Sequence, residues 1–390
     1  MATIKQPLEG IRVLDLGMAA VGPIAAEYLG MLGADVIKVE QPAGDMLRRG
    51  NKTARSYGFT GNNHSKRGIV LDLKNAGDRD IALRLVRTAD VLIENFRSPE
   101  ILARLGLGWE VISKLNPRLI YLQSSAYGWG PLTGLPSNDW TAQAFAGATS
   151  VTGQPGGPFE FVRNTSSLDW TGAFVNLQAI LIALYVRERT GRGLQIQNSQ
   201  LQSSMFTGLT RIAEALATGK APAPMGTARP NIAPDQAFAA ADGYVTVSAP
   251  NDRVWGRLCA ALGRDDLAAD PRFASNRDRV ANRRALVPLL EDTFRAQPAS
   301  YWAALLQQAG VPAGEYQKGP TLRESLLEDA QVEAEGLLTH LDSHWGPMVT
   351  ASPMWRFDKT EARVGRPAPK FAEHQEEVLA ELTGVSAGVR

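Results

Sequence analysis

The chain has 390 residues, long enough for two domains, with 21% charged residues and a net charge of +1. So even a balance offers no basic stripe for nucleic acid, and a single cysteine excludes an intrachain disulfide. The segment Met1–Lys5 lacks the apolar core of a signal peptide. The longest apolar stretch, around 177–186, reads as too short and interrupted to span a bilayer, so a soluble cytoplasmic protein is expected.

Ile11–Leu16 reads as a strand, 17–23 as a loop and Ile24–Leu32 as a helix, with Pro23 suited to its first turn and Gly33 ending it. Asp35–Glu40 is a second strand, which makes a βαβ unit of a parallel sheet. The loop spacing is G-x-x-x-x-G with no Lys-Ser or Lys-Thr behind it, so neither the dinucleotide fingerprint nor a phosphate-binding P-loop is present. A nucleotide-like ligand at the strand C-termini still fits an open α/β sheet. Glu40 is expected to be a solvated strand end rather than a ribose ligand.

A polar loop over 41–60 follows, then a strand at Lys66–Leu73, a helix at Asp78–Ala89, a strand at Asp90–Phe96 and another at Leu119–Ser124. Strands alternate with helices, as in a doubly wound sheet. Leu194–Gln197 alternates like a strand and Gln202–Thr218 is helical. The Pro/Gly/Ala-rich stretch 219–234 reads as a linker or long loop. A strand at Gly243–Ser248 and helices at Val254–Leu262, Arg283–Phe294 and Tyr301–Ala309 describe a second, smaller α+β domain. Cys259 falls on the apolar face of the first of these helices and is expected in its core. From Gly336 the chain has strand-like and Pro-rich pieces, then a helix at His374–Leu382. The four histidines are scattered, so no metal site is expected.

The stretch with the most chemical content is Ser166-Ser167-Leu168-Asp169-Trp170-Thr171-Gly172. It opens a long apolar helix through Ala173, Leu177, Ile180, Leu181 and Leu184, which ends in Arg187, Arg189 and Thr190-Gly191-Arg192-Gly193. Asp169 at that mouth has two readings. One is a structural N-cap. The other is a carboxylate kept ionised by the helix dipole and the free first-turn N–H groups, ready to act as a nucleophile.

Several segments occur in one order: Leu8-Glu9-Gly10-Ile11-Arg12-Val13-Leu14-Asp15, Gly33–Glu40, Lys66–Leu73, Asp90–Phe96, Leu105-Gly106, Asn116–Ile120, Asp169 and Thr190–Gly193. Together they resemble the class III CoA-transferases, the family of formyl-CoA transferase and carnitine CoA-transferases (CaiB/BaiF type), from near residue 8 to the end of the chain. The resemblance implies a CoA thioester as substrate, a free carboxylic acid as co-substrate and Asp169 as catalytic nucleophile. It places Arg104 and Lys74 at the CoA phosphates, Val21 and Leu71 beside the adenine, Asn95 and Phe96 along the pantetheine path and Tyr127 beside the thioester.

The resemblance also implies a large Rossmann-like domain over 1–215 completed by about 330–390, a linker at 216–235 and a small domain at 236–329. An interlocked homodimer is expected. Gln41 stands where formyl-CoA transferases have a basic residue, and Met18 and Ala20 stand where they have His and Gln, which weighs against formyl-CoA and oxalate as the pair. Asn138 replaces the histidine of the racemase branch, so racemisation is disfavoured. Outside catalysis, the rival is a CoA-binding module without turnover, with a dehydrogenase a weak third. Arg163 or Arg229 is the candidate for gripping the second carboxylate of a dicarboxylic acid.

Overall fold

The structure, a computed structural model, describes residues 5–48, 50–52, 55–162, 166–316 and 326–383. The chain divides into two compact units, one of residues 1–148, 161–220 and 329–390, the other of residues 149–160 and 221–328.

The first unit opens with β1 (Arg12–Asp15), α1 (Val21–Met31) and β2 (Asp35–Glu40). It continues with α2 (Tyr57–Thr60), β3 (Lys66–Val70), α3 (Ala76–Thr88), β4 (Val91–Glu94), α4 (Glu100–Arg104) and α5 (Trp109–Leu115). Then come β5 (Ile120–Ser125), α6 (Asp139–Phe145), α7 (Ser167–Thr190), β6 (Gln195–Ser199) and α8 (Gln200–Thr218). The six strands form one parallel sheet in the order β3-β2-β1-β4-β5-β6, the doubly wound arrangement of dinucleotide-binding folds.

Apolar side chains cover both faces. One layer joins α1 and α7 to the sheet through Ile24, Leu29, Ile93, Leu122, Leu177 and Ile180; the other joins α3 and α5 through Ile37, Ile69, Leu85, Leu92 and Ile112. The expectation that no segment is long enough to cross a bilayer needs correcting. By length and composition α7 passes that test. Its inner stripe, Ala173, Leu177, Ile180, Ala183 and Leu184, is buried in the sheet core, so the helix is apolar because it is a core helix.

The turn after α7 explains its glycines. Gly191 ends the helix at φ +71°, the left-handed C-cap conformation. A Cβ at Gly193 would stand 2.0 Å from the Leu119 carbonyl oxygen, so only glycine lets the chain enter β6 beside β5.

Beneath the first loop, Lys66 donates to Asp15 Oδ2, the Pro23 carbonyl and Asn63 Oδ1, each at 2.8 Å. The neighbouring Arg67 reaches Asp35, Glu377 and Glu381. The reading of Glu40 as a solvated strand end is corrected: it is buried and holds Arg48 through both carboxylate oxygens, at 2.8 and 2.7 Å.

The second unit has a three-stranded antiparallel sheet of β7 (Asp235–Ala239), β8 (Tyr244–Ser248) and β9 (Ala313–Tyr316). Between β8 and β9 lie α9 (Asp252–Leu262), α10 (Asp265–Ala269), α11 (Asn276–Ala281), α12 (Arg283–Phe294) and α13 (Ala299–Gln308). The core packs Phe238, Trp255, Cys259, Phe273, Phe294 and Trp302, and burial pushes the Cys259 thiol up to about 12. The strand β7, which carries one large apolar residue, Phe238, was not visible in the sequence pattern.

Back in the first unit are α14 (Ala330–Ala334), the hairpin β10 (Leu338–Ser343) and β11 (Gly346–Ala351), and α15 (Gln375–Thr383). The C-terminal segment covers the free edge of β3: His374 Nδ1 accepts from Gly68 N at 3.1 Å and Gln375 Oε1 from Val70 N at 2.7 Å.

Candidate active site

Asp169 is the third residue of α7, and both sequence readings of it need revision. The N-cap position belongs to Ser166, whose side chain makes no capping bond. The first-turn N–H groups are taken by Asp139: its Oδ1 accepts from Leu168 N at 2.7 Å and from Asp169 N at 3.1 Å. Asp139 is buried at the start of α6, where Asn138 and Thr141 form a capping box, and its Oδ2 accepts from Gln143 Nε2 at 2.5 Å. With the cap supplied from another helix, the Asp169 carboxyl is free to line a cavity.

Nor is that carboxyl held firmly ionised. Burial first, and the Asp139 carboxylate second, raise its pKa from 3.8 to about 7, against the lowering effect of a hydrogen bond from Gln200. Gln200 Nε2 donates to Asp169 Oδ1 at 2.5 Å.

The surrounding frame is held by hydrogen bonds. Ser199 caps α8 by accepting from Gln202 N at 3.1 Å, and Leu201 N donates to the Ala126 carbonyl at 3.0 Å. Deeper in, Asn176 Nδ2 reaches Ser124 Oγ at 3.0 Å and Asn198 Nδ2 reaches Asn176 Oδ1 at 2.7 Å, tying α7 to β5 and β6 with buried side chains. At Gly172 a Cβ would stand 2.9 Å from Val21 Cγ2, so the missing side chain lets α1 approach the first turn of α7.

The cavity, of about 430 Å³, is lined by Met18–Val21, Asn95–Arg97, Ser124–Gly128, Asn138, Asp139, Asp169 and Gln200, among others. A second cavity of about 180 Å³ is lined by Leu71, Lys74, Gln41, Lys38 and Leu105. Met18, Phe96 and Ile101 belong to both walls, so the two adjoin around the aromatic ring. Lys74 lines the smaller and Asp169 the larger, and both walls are apolar for the most part.

The first loop forms a wall of both cavities. Asn95 clamps Met18 at two points, accepting from its N–H at 2.6 Å and donating to its carbonyl at 2.8 Å. Ala19 sits at φ +61°, a conformation L residues avoid. Asp45 holds its N–H (3.2 Å) and Asn62 its carbonyl (3.1 Å). Lys38 donates to the Gly17 carbonyl and pairs with Asp45 at 3.3 Å.

The residues singled out from sequence are distributed as follows. Asp169, Val21, Asn95, Phe96 and Tyr127 line the larger cavity; Leu71, Lys74 and again Phe96 line the smaller. Tyr127 leans edge-on against Phe145 at 5.4 Å. Val21 and Leu71, expected together beside an adenine, stand in different cavities. The Asn95 amide is committed to Met18, so it offers wall rather than a free hydrogen bond. Arg104 lines neither cavity: it is exposed, 3.5 Å from Glu100 on its own helix, one residue before Leu105.

Arg163 lies outside the described residues. Arg229 belongs to the second unit and pairs with Asp235 at 3.2 Å. The sequence reading missed Asp139, Gln200 and Arg97. Asp139 was visible as an acid after Asn138 at a helix start, and Gln200 as a polar residue at the carboxyl end of a parallel strand, where ligands bind. Among the described residues, no group of three or more His, Cys, Asp or Glu could hold a metal ion.

Comparison with known proteins agrees along almost the whole chain. Residues 8–375 match the model of CoA-transferase family III. The acetyl-CoA:oxalate CoA-transferase of Acetobacter aceti is 40% identical, with 95% of this chain and 94% of that protein covered. The succinate–glutarate CoA-transferase of Agrobacterium fabrum is 35% identical, with 98% and 97% covered. The crystal structure of a CaiB/BaiF family protein from Brucella suis superposes with a TM-score of 0.83 at 34% identity, covering 97% of this chain and 100% of that one.

Proposed function

The chain belongs to CoA-transferase family III, and on that premise we propose that it moves CoA from an acyl-CoA to a free dicarboxylic acid through Asp169. The observation that carries the reading is the Asp169 carboxyl, relieved of capping by Asp139 and lining the larger cavity. Asp169 attacks the thioester carbonyl, giving a mixed anhydride and CoA thiolate. The thiolate attacks the aspartyl carbon and releases the first acid, leaving an aspartyl-CoA thioester. The acceptor carboxylate reverses the sequence. Each exchange replaces one activated acyl bond by another, so no ATP is required.

The CoA chain would lie along the two cavities past Phe96. Lys74, exposed at the far cavity with no ion pair among the described residues, would meet a phosphate. Arg104, at the surface, would reach CoA only after leaving Glu100.

Asp169→Ala is expected to retain CoA affinity by calorimetry and lose exchange of labelled acid into acyl-CoA by at least about 1,000-fold. Retained exchange would remove Asp169 from the chemistry. A wild type that binds CoA and exchanges nothing, whatever the acyl donor, would favour a binding module. Racemisation has no support: Asn138 is engaged in capping α6 and no histidine lines the cavity among the described residues.

The dicarboxylate part rests on Arg97. It is the one basic side chain on the wall of the Asp169 cavity among the described residues, it is exposed, and it has no acidic partner there. It is preferred to Arg229, which pairs with Asp235, as candidate for the distal carboxylate. The relatives' names pair oxalate, glutarate and mesaconate with acetyl-CoA or succinyl units, so oxalate stays among the candidate acceptors. Arg97→Leu is expected to raise KM by about tenfold or more for dicarboxylates and for a dicarboxylyl donor such as succinyl-CoA, and to spare monocarboxylates and acetyl-CoA. A uniform change across all acids would reject this role.

We also infer a homodimer, from the family resemblance and from apolar side chains left exposed on α7 and α8, among them Ile182, Tyr185, Phe206 and Leu209.

A further inference from the structure

Gln200 is buried at the first position of α8, and its amide gives one hydrogen bond, to Asp169 Oδ1 at 2.5 Å. Among the described residues it has no other hydrogen-bond partner. The Ser199 cap and the strap from Leu201 N to the Ala126 carbonyl hold it on both sides. A buried, well-positioned amide is thus committed to one oxygen of one carboxylate, on the wall of the cavity where the acyl group must arrive.

We propose that Gln200 is a catalytic residue: it supplies the oxyanion donor for the steps that occur at the Asp169 carboxyl carbon. The inference rests on Asp169 being the nucleophile. With Oδ1 engaged by Gln200, Oδ2 is the oxygen that attacks. A bond forms from Oδ2 to the thioester carbon, the carbon–sulfur bond breaks, and CoA leaves as thiolate with the electron pair. In the anhydride so formed, Oδ1 is the carbonyl oxygen of the aspartyl half.

The thiolate then attacks Cγ, and the carbonyl electron pair moves onto Oδ1, the atom Gln200 already holds. Collapse of this adduct restores the Cγ–Oδ1 carbonyl, breaks the Cγ–Oδ2 bond and expels the first acid as a carboxylate that carries Oδ2 away. The acceptor carboxylate next attacks Cγ of the thioester, and charge again develops on Oδ1 before the thiolate leaves. In the first and last steps attack falls on the acyl carbon, and the charge develops on the acyl oxygen instead. Gln200 therefore acts in the two middle steps of four.

The physical basis is differential. In anhydride and thioester Oδ1 is a neutral carbonyl oxygen, and in both intervening adducts it is an oxyanion. A fixed N–H donor strengthens its bond as that charge grows, which lowers the barrier rather than merely tightening binding.

The test uses full-length wild type, Gln200→Ala and Gln200→Met. The second variant keeps the side-chain length and loses the donor without adding a charge beside Asp169. Each is mixed with succinyl-CoA at pH 9, where Asp169 is ionised, quenched in acid and read by intact-protein mass. Two adducts differ in mass: a succinyl adduct from the first step and a CoA adduct from the second. The wild type is expected to reach the CoA adduct. Both variants are expected to form the succinyl adduct at near the wild-type rate and the CoA adduct about 100-fold more slowly or worse.

A CoA adduct formed at the wild-type rate in either variant would overturn the proposal. So would equal slowing of both adducts, the pattern of a purely structural residue. Absence of both adducts from the wild type would instead overturn the nucleophile reading of Asp169.

Discussion

At Asp169 two opposing influences meet on one carboxyl. The dipole of α7 and the Gln200 amide favour the carboxylate, while burial and the Asp139 charge disfavour it, and the second pair prevails, with a pKa of about 7. The consequences for activity and stability have opposite signs. A nucleophile must be ionised, so kcat/KM for acyl-CoA is expected to fall as pH drops through about 7. The native state meanwhile holds this proton more tightly than the unfolded chain, so the group's contribution to folding falls as pH rises from about 4 to about 7. Replacing Asp139 by Asn removes the like charge and leaves an oxygen able to accept from Leu168 N and Asp169 N. The acid limb of the pH–kcat/KM profile is then expected to move to lower pH, with the ratio of activity at pH 6 to pH 8.5 rising about threefold. An unmoved limb would show that the profile reports some other group.

At the scale of the element, the turn from α7 into β6 sets the distance between Asp169's helix and the sheet. Thr190-Gly191-Arg192-Gly193 stood out in the sequence, but the two glycines do different work. Gly191 needs only a left-handed backbone, so Ala there is expected to cost about 1–2 kcal/mol. At Gly193 a Cβ would collide with the backbone of Arg118 and Leu119, and Ala there is expected to cost about 3 kcal/mol or more. Thermal denaturation of the two variants checks the ranking, and equal losses would contradict it. Alternation of strands and helices was legible because β1, β2, β4 and β5 carry short apolar runs that are buried. Gln200 was not, because its relevance comes from where β6 ends beside α7, a contact between segments 31 residues apart. Asp139 was hidden for the same reason: it caps a helix it does not belong to.

For the molecule as a whole, the sheet order brings the ends of β1, β4, β5 and β6 to one edge, and the cavity walls come from the loops leaving them. This is why residues scattered from Met18 to Gln200 meet, and why a dinucleotide-type sheet can serve here without the glycine fingerprint. The sheet class could be read from the pattern. The separation of Val21 from Leu71 and the exposure of Arg104 could not, since both depend on how the loops fold back over the strand ends. Light scattering at micromolar concentration is expected to return twice the chain mass of 42.1 kDa, and a monomer at that concentration would contradict the inferred dimer.

The most direct measurement is peptide mass spectrometry after incubating the protein with succinyl-CoA and then hydroxylamine. A hydroxamate is expected on the peptide that carries Asp169, localised to that residue and lost in Asp169→Ala. A hydroxamate on another acid, or undiminished labelling of Asp169→Ala, would contradict it.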